Sequence, residues 1–238
     1  MPRESSDLSG AMAAMHSFES KVVIVTGGGA GIGRAAALEF AAQGARVIVT
    51  GRRAGPLQAL ANAGLKITFT VADVAGAGAV QPLISASPEQ VANIFAVNGF
   101  GPSLLATAAI GHLEATGGSI VNVSSTFGHK AVSALSHYAA SNAALEHLTR
   151  CWALELAPLG VRVNAVAPGL TETDFLVERM GLSAAQAEGF TSDERARIPL
   201  GRRGAPEDVA HWIVALAAPS AVWVTGQVVT VDGGLSIS

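Results

Sequence analysis

The chain is poor in cysteine, in charged residues and in aromatic residues. Cys151 is its only cysteine, and of its 238 residues 14% are charged and 5% are aromatic. A lone cysteine excludes an intrachain disulfide and favours a reducing compartment such as the cytoplasm. Half of the residues are hydrophobic, which excludes a disordered chain, because disorder requires low hydrophobicity and high net charge.

Long basic runs and long apolar runs are also missing. The formal net charge is -3, so nucleic acid and anionic membranes are excluded as main partners. No apolar run approaches the roughly 18 residues of a membrane span. The first 20 residues lack the apolar segment of a signal peptide, and we expect 1–20 to form a flexible leader.

Short β-branched runs alternate with helical patterns along the rest of the chain. The periodicity predicts strands at 21–26, 46–50, 67–74, 118–124, 161–166 and 227–231. It predicts helices at 32–43, 56–63, 87–113, 138–157 and 207–217. Such alternation is typical of a parallel sheet with helices on both faces. We expect one α/β domain over 21–238.

A glycine-rich turn, Thr26-Gly-Gly-Gly-Ala-Gly-Ile-Gly33, lies between the first strand and the first helix. In this context glycines let the backbone approach a pyrophosphate, and the helix N-terminus offers free N–H groups. The turn therefore predicts a dinucleotide site. A tight glycine turn without a ligand is the alternative.

The end of the second strand bears on which dinucleotide is bound. An acidic residue there suits the ribose of NAD, whereas an arginine suits the 2′-phosphate of NADP. The strand runs into Gly51-Arg52-Arg53, and no carboxylate occurs between Glu39 and Asp73. This favours NADP over NAD, with Arg52 as the phosphate ligand. The alternative is a pair of solvated surface arginines.

These features resemble the short-chain dehydrogenase/reductase family over most of residues 21–238. The family pattern TGxxxGxG is present in the glycine turn, and a serine, Ser125, precedes a tyrosine, Tyr138, by the family's 13 residues. Further motifs that match are Asp73 in ADV, Asn98 in VNG, Asn164 to Gly169 in NAVAPG, Thr173, and Val231 to Gly234 in VDGG.

The resemblance implies a fold, a reaction and a set of site residues. The fold would be Rossmann-like, with a doubly wound parallel sheet, in a homodimer or homotetramer. Hydride would pass between a nicotinamide and a small carbonyl or alcohol substrate, with Tyr138 as the acid/base and Ser125 holding the substrate oxygen. The resemblance places Asn98, Ser125, Tyr138 and Asn142 at the catalytic positions. It places Gly27, Gly31, Ile32, Gly33, Arg52, Asp73, Val74, Tyr138, Asn142, Pro168, Gly169, Leu170 and Thr173 at the cofactor.

Position 142 departs from the family, which has a lysine where this chain has Asn142. Residues four apart share a helix face, so a lysine here would lie beside Tyr138. A free tyrosine titrates near pH 10, and bringing its pKa to about 7 takes roughly 4 kcal/mol. A nearby ammonium supplies much of that free energy, whereas an asparagine carries no charge. We expect Tyr138 to be a poor catalyst unless another cation helps. Lys130 and His137 are close in the sequence, but an adjacent helix residue points elsewhere.

A second departure lies between Asp73 and Asn98, which are 25 residues apart. The family has roughly twice that length there. The missing part corresponds to one helix and the next strand, which is central in the family sheet. Either the neighbouring strands close up, or backbone groups lose their partners.

The remaining candidate sites are weaker. None of the six histidines has a recognised metal-ligand spacing, so no metal site is predicted. Ser125 lies outside a GxSxG nucleophile motif. We interpret 172–198 as a substrate lid, with a mobile loop of no selectivity role as the alternative. The leading hypothesis is an NADP(H)-dependent oxidoreductase; the others are a non-catalytic nucleotide-binding homologue and a defective variant.

Overall fold

The strands are all parallel and form two sheets of three. The computed structural model describes residues 17–73, 83–173 and 184–238. Strands β1 (Val22–Thr26), β2 (Arg46–Gly51) and β3 (Ile67–Val71) lie in that order in one sheet. Strands β4 (Ser119–Val123), β5 (Arg162–Pro168) and β6 (Val228–Val231) form the other in chain order.

Helices connect the strands, as parallel pairing requires. They are α1 (Gly31–Ala42), α2 (Ala54–Ala61), α3 (Pro88–Phe95), α4 (Gly101–Glu114), α5 (Ser136–Leu156), α6 (Ala184–Arg197) and α7 (Pro206–Ala217). The predicted elements are present with ends that differ by a few residues. Helix α6 was not predicted, because 172–198 was interpreted only as a substrate lid.

The main core lies under helices α1 and α7, which pack on each other. Small residues on α1, including Ala36 and Ala37, are fully buried and let the two helices approach closely. Strand β2 contributes Val47 and Val49, and β5 contributes Val166, all with no exposed surface. The same cluster includes residues of both sheets, so these two helices join the sheets on one side.

In the described part of the chain, apolar side chains on the opposite side of the first sheet are exposed. The parallel register aligns Val22 with Arg46 and Ile24 with Ile48, so these four side chains share one face. Val22 is 52% exposed and Ile24 is 60% exposed. Strand β1 pairs only with β2, and β4 only with β5, within the described residues.

This arrangement confirms a Rossmann-like α/β fold with the expected shortening. The free edges of β1 and β4 are the two edges that the missing central strand would join. In the described ranges the neighbouring strands have not closed up to pair with each other. Within 17–73, 83–173 and 184–238 the facing edges of β1 and β4 therefore carry backbone groups that have no strand partner.

Helices α3 and α4 form one continuous span through a π-turn at Ala96–Phe100. The predicted start is confirmed: the Ser87 hydroxyl accepts a hydrogen bond from the Gln90 N–H, and the Gln90 side chain accepts one from the Ser87 N–H. By length and composition alone the span Pro88–Glu114 could cross a membrane, and 11% of its most apolar window is buried. Its exposed surface includes Phe100 and Leu104.

Candidate active site

The glycine turn between β1 and α1 has the geometry of a phosphate cradle. Gly27 and Gly31 have positive φ angles of 69° and 51°, which only glycine adopts readily. A Cβ on Gly33 would lie 2.5 Å from the Gly27 carbonyl oxygen, so no larger residue fits there. Helix α1 begins without a side-chain cap at Ala30. Its first N–H groups are therefore available to an anion.

A cleft of about 380 Å³ opens at this turn. Its lining consists of Gly29, Ala30, Gly31, Arg34, Arg53, Pro56, Glu172, Thr173 and Pro206. Two arginines and a helix N-terminus give most of this surface a positive character. Thr173 closes over the turn, since its Cγ2 would be 3.1 Å from a Cβ on Gly31. Thr173 therefore lies beside the glycine turn.

The cleft is lined by Arg34 and Arg53, whereas Arg52, the arginine that the sequence favoured, is not among its lining residues. Arg53 occupies the N-cap position of α2, and both Arg52 and Arg53 are exposed. The sequence could not separate the two because they are adjacent, and the bend between β2 and α2 decides which one faces the cleft. Arg34 was missed because nothing in the sequence shows whether its side chain faces the cleft from helix α1.

Asp73 lies two residues after β3, at the same carboxyl end of the first sheet as the glycine turn. Its neighbour Ala72 donates its N–H to the Gly51 carbonyl oxygen at 3.0 Å. The strand therefore delivers Asp73 to the edge at which a nucleotide is expected. Val74 lies outside the described residues.

Ser125 follows β4 and is 7% exposed. Its hydroxyl oxygen accepts a hydrogen bond from the Phe127 N–H at 3.3 Å, and its carbonyl oxygen accepts one from the Gly128 N–H at 2.7 Å. Because the oxygen accepts from Phe127, the O–H is left to donate. The short helix Thr126–Gly128 packs against α5, which carries Tyr138.

Asp232 ties the Ser125 segment to the last strand. The Thr126 hydroxyl donates to its carboxylate at 3.3 Å, and the N–H groups of Gly234 and Ser236 donate to it at 2.9 and 2.7 Å. Burial alone would raise the pKa of Asp232, but these hydrogen bonds outweigh it and hold the pKa below its usual value. The carboxylate therefore stays charged and fixes three segments together.

Tyr138, Asn98 and Asn142 belong to one hydrogen-bond network at the start of α5. The Tyr138 carbonyl oxygen accepts from the Ser141 hydroxyl at 2.8 Å and from the Asn142 side-chain amide at 2.9 Å. The Asn98 amide, held in the π-turn, donates to the same Ser141 hydroxyl at 3.0 Å. Asn142 is 2% exposed. Its amide thus faces its own helix backbone and brings no charge to Tyr138.

Within the described residues, the side chains of Lys130 and His137 form no hydrogen bond with Tyr138. Lys130 donates to the carbonyl oxygens of Leu235 and Ser238 at 2.5 and 2.6 Å, so its ammonium is committed to the C-terminal segment. His137 has a half-buried ring whose Nδ1 has no hydrogen-bond partner among the described residues.

A buried carboxylate, Glu146, lies one helical turn beyond Asn142 and was not anticipated. The Ser124 hydroxyl donates to it at 3.1 Å, and His129 Nδ1 lies 3.1 Å from the same oxygen. A Cβ on Gly128 would be 2.5 Å from this oxygen. Glu146 therefore anchors the segment around Ser125 to α5. Serine, histidine and glutamate so far apart in the chain give no recognisable sequence pattern.

The chain leaves β5 through the loop that the resemblance assigns to the cofactor. Gly169 donates its N–H to the Val231 carbonyl oxygen at 2.9 Å, and a Cβ on it would be 2.5 Å from the Asp232 Cβ. Asn164 fixes the strand before it, since its amide donates to the Val224 carbonyl oxygen at 2.9 Å. Pro168, Gly169 and Leu170 thus lie at the carboxyl end of the second sheet, as expected.

No cluster of three or more metal-ligating side chains occurs within 17–73, 83–173 and 184–238. The site offers instead an uncapped helix N-terminus with two arginines, and a serine and a tyrosine held by separate networks. The helix N-terminus and the arginines suit a diphosphate. The serine and the tyrosine suit hydrogen bonding and proton transfer at a substrate oxygen. Ile32 follows Gly31 in the first turn of α1 and packs against the main core.

Two family models match the chain. One described as short chain dehydrogenase matches residues 21–75, and one described as Enoyl-(Acyl carrier protein) reductase matches residues 57–236. An uncharacterised oxidoreductase of Mycobacterium tuberculosis is 35% identical over 93% of this chain and 94% of its own. The 3-oxoacyl-[acyl-carrier-protein] reductase FabG of Thermotoga maritima is 35% identical over 92% of this chain and 99% of its own.

A solved structure agrees with these matches. A short-chain dehydrogenase/reductase of unknown function from Caenorhabditis elegans, crystallised with cofactor, is 31% identical and superposes with a TM-score of 0.86. The superposition covers 93% of this chain and 97% of that chain.

The lengths of the aligned chains bear on the shortened segment. The alignment with the M. tuberculosis relative spans 254 positions, but 93% of 238 residues is only about 221. About 33 aligned positions are thus filled in the relative alone, which agrees with a shortened chain. The chain belongs to the short-chain dehydrogenase/reductase family and is an NAD(P)-dependent oxidoreductase of that family.

Proposed function

We propose that the chain binds NADP(H) and interconverts a carbonyl group and an alcohol on a small substrate. The observation that carries the proposal is the cleft at the glycine turn, where Arg34 and Arg53 accompany an uncapped helix N-terminus. The turn fits a pyrophosphate, since the space at Gly33 admits no Cβ. The two arginines favour the extra phosphate of NADP over the free hydroxyl of NAD.

The nicotinamide, when bound, supplies or accepts the hydride. The protein's own part is proton transfer and orientation at the substrate oxygen. The Ser125 O–H, left over after its oxygen accepts from Phe127, donates to that oxygen. The Tyr138 hydroxyl gives its proton to the substrate oxygen during reduction, and the Tyr138 phenolate takes the alcohol proton during oxidation. Gly169 and Leu170 would border the nicotinamide, and Asp73 and Val74 the adenine.

Position 142 carries no cation beside Tyr138, unlike the lysine of the family. A lysine at position 142 would favour the phenolate, whereas the Asn142 amide is bonded to the Tyr138 carbonyl oxygen. An opposite charge nearby shifts a pKa by about 1–3 units. We therefore expect alcohol oxidation by the wild-type protein to require a higher pH than a lysine-containing variant does.

A second candidate function is nucleotide binding without turnover. The observation that favours it is the combination of Asn142 with Lys130, whose ammonium is held by the C-terminal segment. A chain in this state would keep the dinucleotide cleft and lose the acid/base. The two candidates differ in turnover and agree on NADPH binding.

The experiment compares the wild type with Asn142→Lys, with Tyr138→Phe as the control. NADPH binding is followed by fluorescence, and turnover by NADPH oxidation with a 3-oxoacyl thioester and a small cyclic ketone. For the reverse reaction the pH profile of NADP⁺ reduction is recorded with the corresponding alcohols. We expect Asn142→Lys to shift the alkaline-rising limb down by about 1–3 pH units and Tyr138→Phe to abolish turnover.

Each part of the proposal has an outcome that contradicts it. Absence of NADPH and NADH binding would remove the nucleotide assignment. Binding without turnover, with activity gained in Asn142→Lys, would favour the second candidate. Unchanged turnover in Tyr138→Phe would remove the role given to this tyrosine, and an unshifted pH profile would remove the role given to position 142.

The proposal includes the setting of the enzyme. We place it in the cytoplasm, supported by the lone Cys151 and the low charge. We also expect a homodimer or homotetramer, supported by the exposed apolar residues along α4, including Leu104 and Leu105.

A further inference from the structure

Arg203 is a buried arginine outside the residues discussed so far. It is 6% exposed. Its Nη1 donates to Glu194 of α6, and its Nη2 donates to the Thr171 carbonyl oxygen at 2.6 Å. Its Nε lies 3.4 Å from Glu172 Oε2. This last pair is close enough for charge attraction, but the N–H direction makes no hydrogen bond, and Nε is left without an acceptor among the described residues.

The main chain holds Arg203 beside the loop that follows β5. Thr171 and Gly204 form a parallel bridge. The Glu172 N–H donates to the Gly204 carbonyl oxygen at 2.8 Å, and the Gly204 N–H donates to the Leu170 carbonyl oxygen at 3.0 Å. The Arg203 guanidinium therefore lies between a loop that backbone hydrogen bonds hold in place and helix α6. A planar fork with several donors suits such a junction better than an ammonium does.

The loop on one side of Arg203 borders the dinucleotide cleft. Glu172 and Thr173 both line the cleft, opposite Arg34 and Arg53. Helix α6, on the other side, reaches the same loop a second time, because Arg195 lies 3.5 Å from Glu172. Burial raises the pKa of Glu194, and the Arg203 charge opposes that rise. Without Arg203 the Glu194 carboxylate would be a nearly buried charge that has lost its main partner.

We propose that Arg203 is a positioning residue that couples helix α6 to the dinucleotide cleft. The coupling runs through three arms of one guanidinium: to Glu194 on the helix, to the Thr171 carbonyl oxygen, and to Glu172 at the rim of the cleft. The third arm is incomplete in the structure. A small shift of Glu172 when a nucleotide enters the cleft completes it and tightens α6. The inference rests on the proposed nucleotide function.

The test measures backbone hydrogen exchange of 184–197 with and without NADPH. The variants are Arg203→Met, which keeps the length of the stem, and Arg203→Lys and Glu194→Gln, which are milder. Arg202→Met is the matched control, since Arg202 is the adjacent arginine and pairs at the surface with Asp208 at 2.6 Å. Circular dichroism and a thermal melt establish that each variant is folded.

We expect NADPH to slow exchange in 184–197 of the wild type and of Arg202→Met. In Arg203→Met we expect exchange of this helix to be about tenfold faster without nucleotide, as for a segment that opens locally more often. NADPH should still bind to Arg203→Met but should no longer slow exchange there. In Arg203→Lys and Glu194→Gln the exchange rate of 184–197 should lie between those of the wild type and Arg203→Met. This gradation separates the coupling from a general loss of folding.

Three outcomes would overturn the coupling. One is wild-type NADPH binding with no change of exchange in 184–197. Another is equal protection of the helix in Arg203→Met and the wild type. A third is an equal effect of Arg202→Met. If the wild type binds neither NADPH nor NADH, the proposed function fails as well, so the binding measurement separates the failure of the coupling from the failure of both.

Discussion

At the scale of single residues, the sequence predicted which chemical groups are present better than it predicted where their side chains point. The sequence showed that position 142 lacks a charge, and it could not show that the Asn142 amide turns to the Tyr138 carbonyl oxygen. It showed two arginines after β2, but a single backbone bend decided that Arg53 lines the cleft. The pairing of Arg203 with Glu194 could not be predicted from the sequence, because only the fold brings α6 beside the loop after β5.

The two adjacent arginines give a residue-scale prediction. Arg53→Asp should lower the affinity for NADPH relative to NADH by about 10- to 100-fold, because a charge-assisted hydrogen bond contributes roughly 1.5–3 kcal/mol. Arg52→Asp makes the same charge change at a residue that does not line the cleft and should alter the ratio far less. Fluorescence titrations of both variants with both nucleotides measure it. A larger effect of Arg52→Asp would instead support Arg52 as the phosphate ligand, as the sequence alone favoured.

At the scale of elements, local sequence signals predicted where a helix begins better than they predicted an interruption within a helical span. Ser87-Pro-Glu-Gln forms the predicted capping box because the bonds involve residues only three apart. The π-turn at Ala96–Phe100 was not foreseen. It depends on packing against α5, where Asn98 donates to Ser141. The missing helix and strand were predicted from a spacing, but whether the sheet would close could be read only from the strand pairing.

The capping box supplies the element-scale prediction. Ser87→Ala removes the acceptor of the Gln90 N–H and should lower the free energy of unfolding by about 1 kcal/mol. Ser103→Ala is the matched control in the same helical span, since the Ser103 hydroxyl donates back to the Gly99 carbonyl oxygen within the helix. Such bonds stabilise a helix little or not at all. Urea unfolding of both variants measures the difference, and equal losses would contradict the capping role.

At the scale of the whole molecule, the shortened chain has two half-sheets joined by their helices. Helices α1 and α7 cover one side of both sheets with a shared apolar core. The other side of the first sheet lacks its helix, and the free edges of β1 and β4 lack the strand that would pair with them in the described structure. Exposed apolar faces and open edges promote association between chains. The dinucleotide cleft lies at the carboxyl end of β1, where α1 begins.

Two substitutions in the first sheet test whether this face is open in solution. Val47 is fully buried on the covered face, and Ile24 is 60% exposed on the other. Val47→Thr should lower the free energy of unfolding by about 1–3 kcal/mol, because it buries a hydroxyl. Ile24→Thr keeps a β-branched side chain on an open face and should change stability by less than about 0.5 kcal/mol.

The same pair separates stability from association. Ile24→Thr should reduce concentration-dependent self-association in sedimentation velocity, because it removes apolar surface that another chain can contact. Val47→Thr should leave association of the folded protein unchanged. If Ile24→Thr instead costs as much stability as Val47→Thr, the uncovered face is packed in solution. The shortened chain would then rely on a second copy to replace the helix and strand that it lacks.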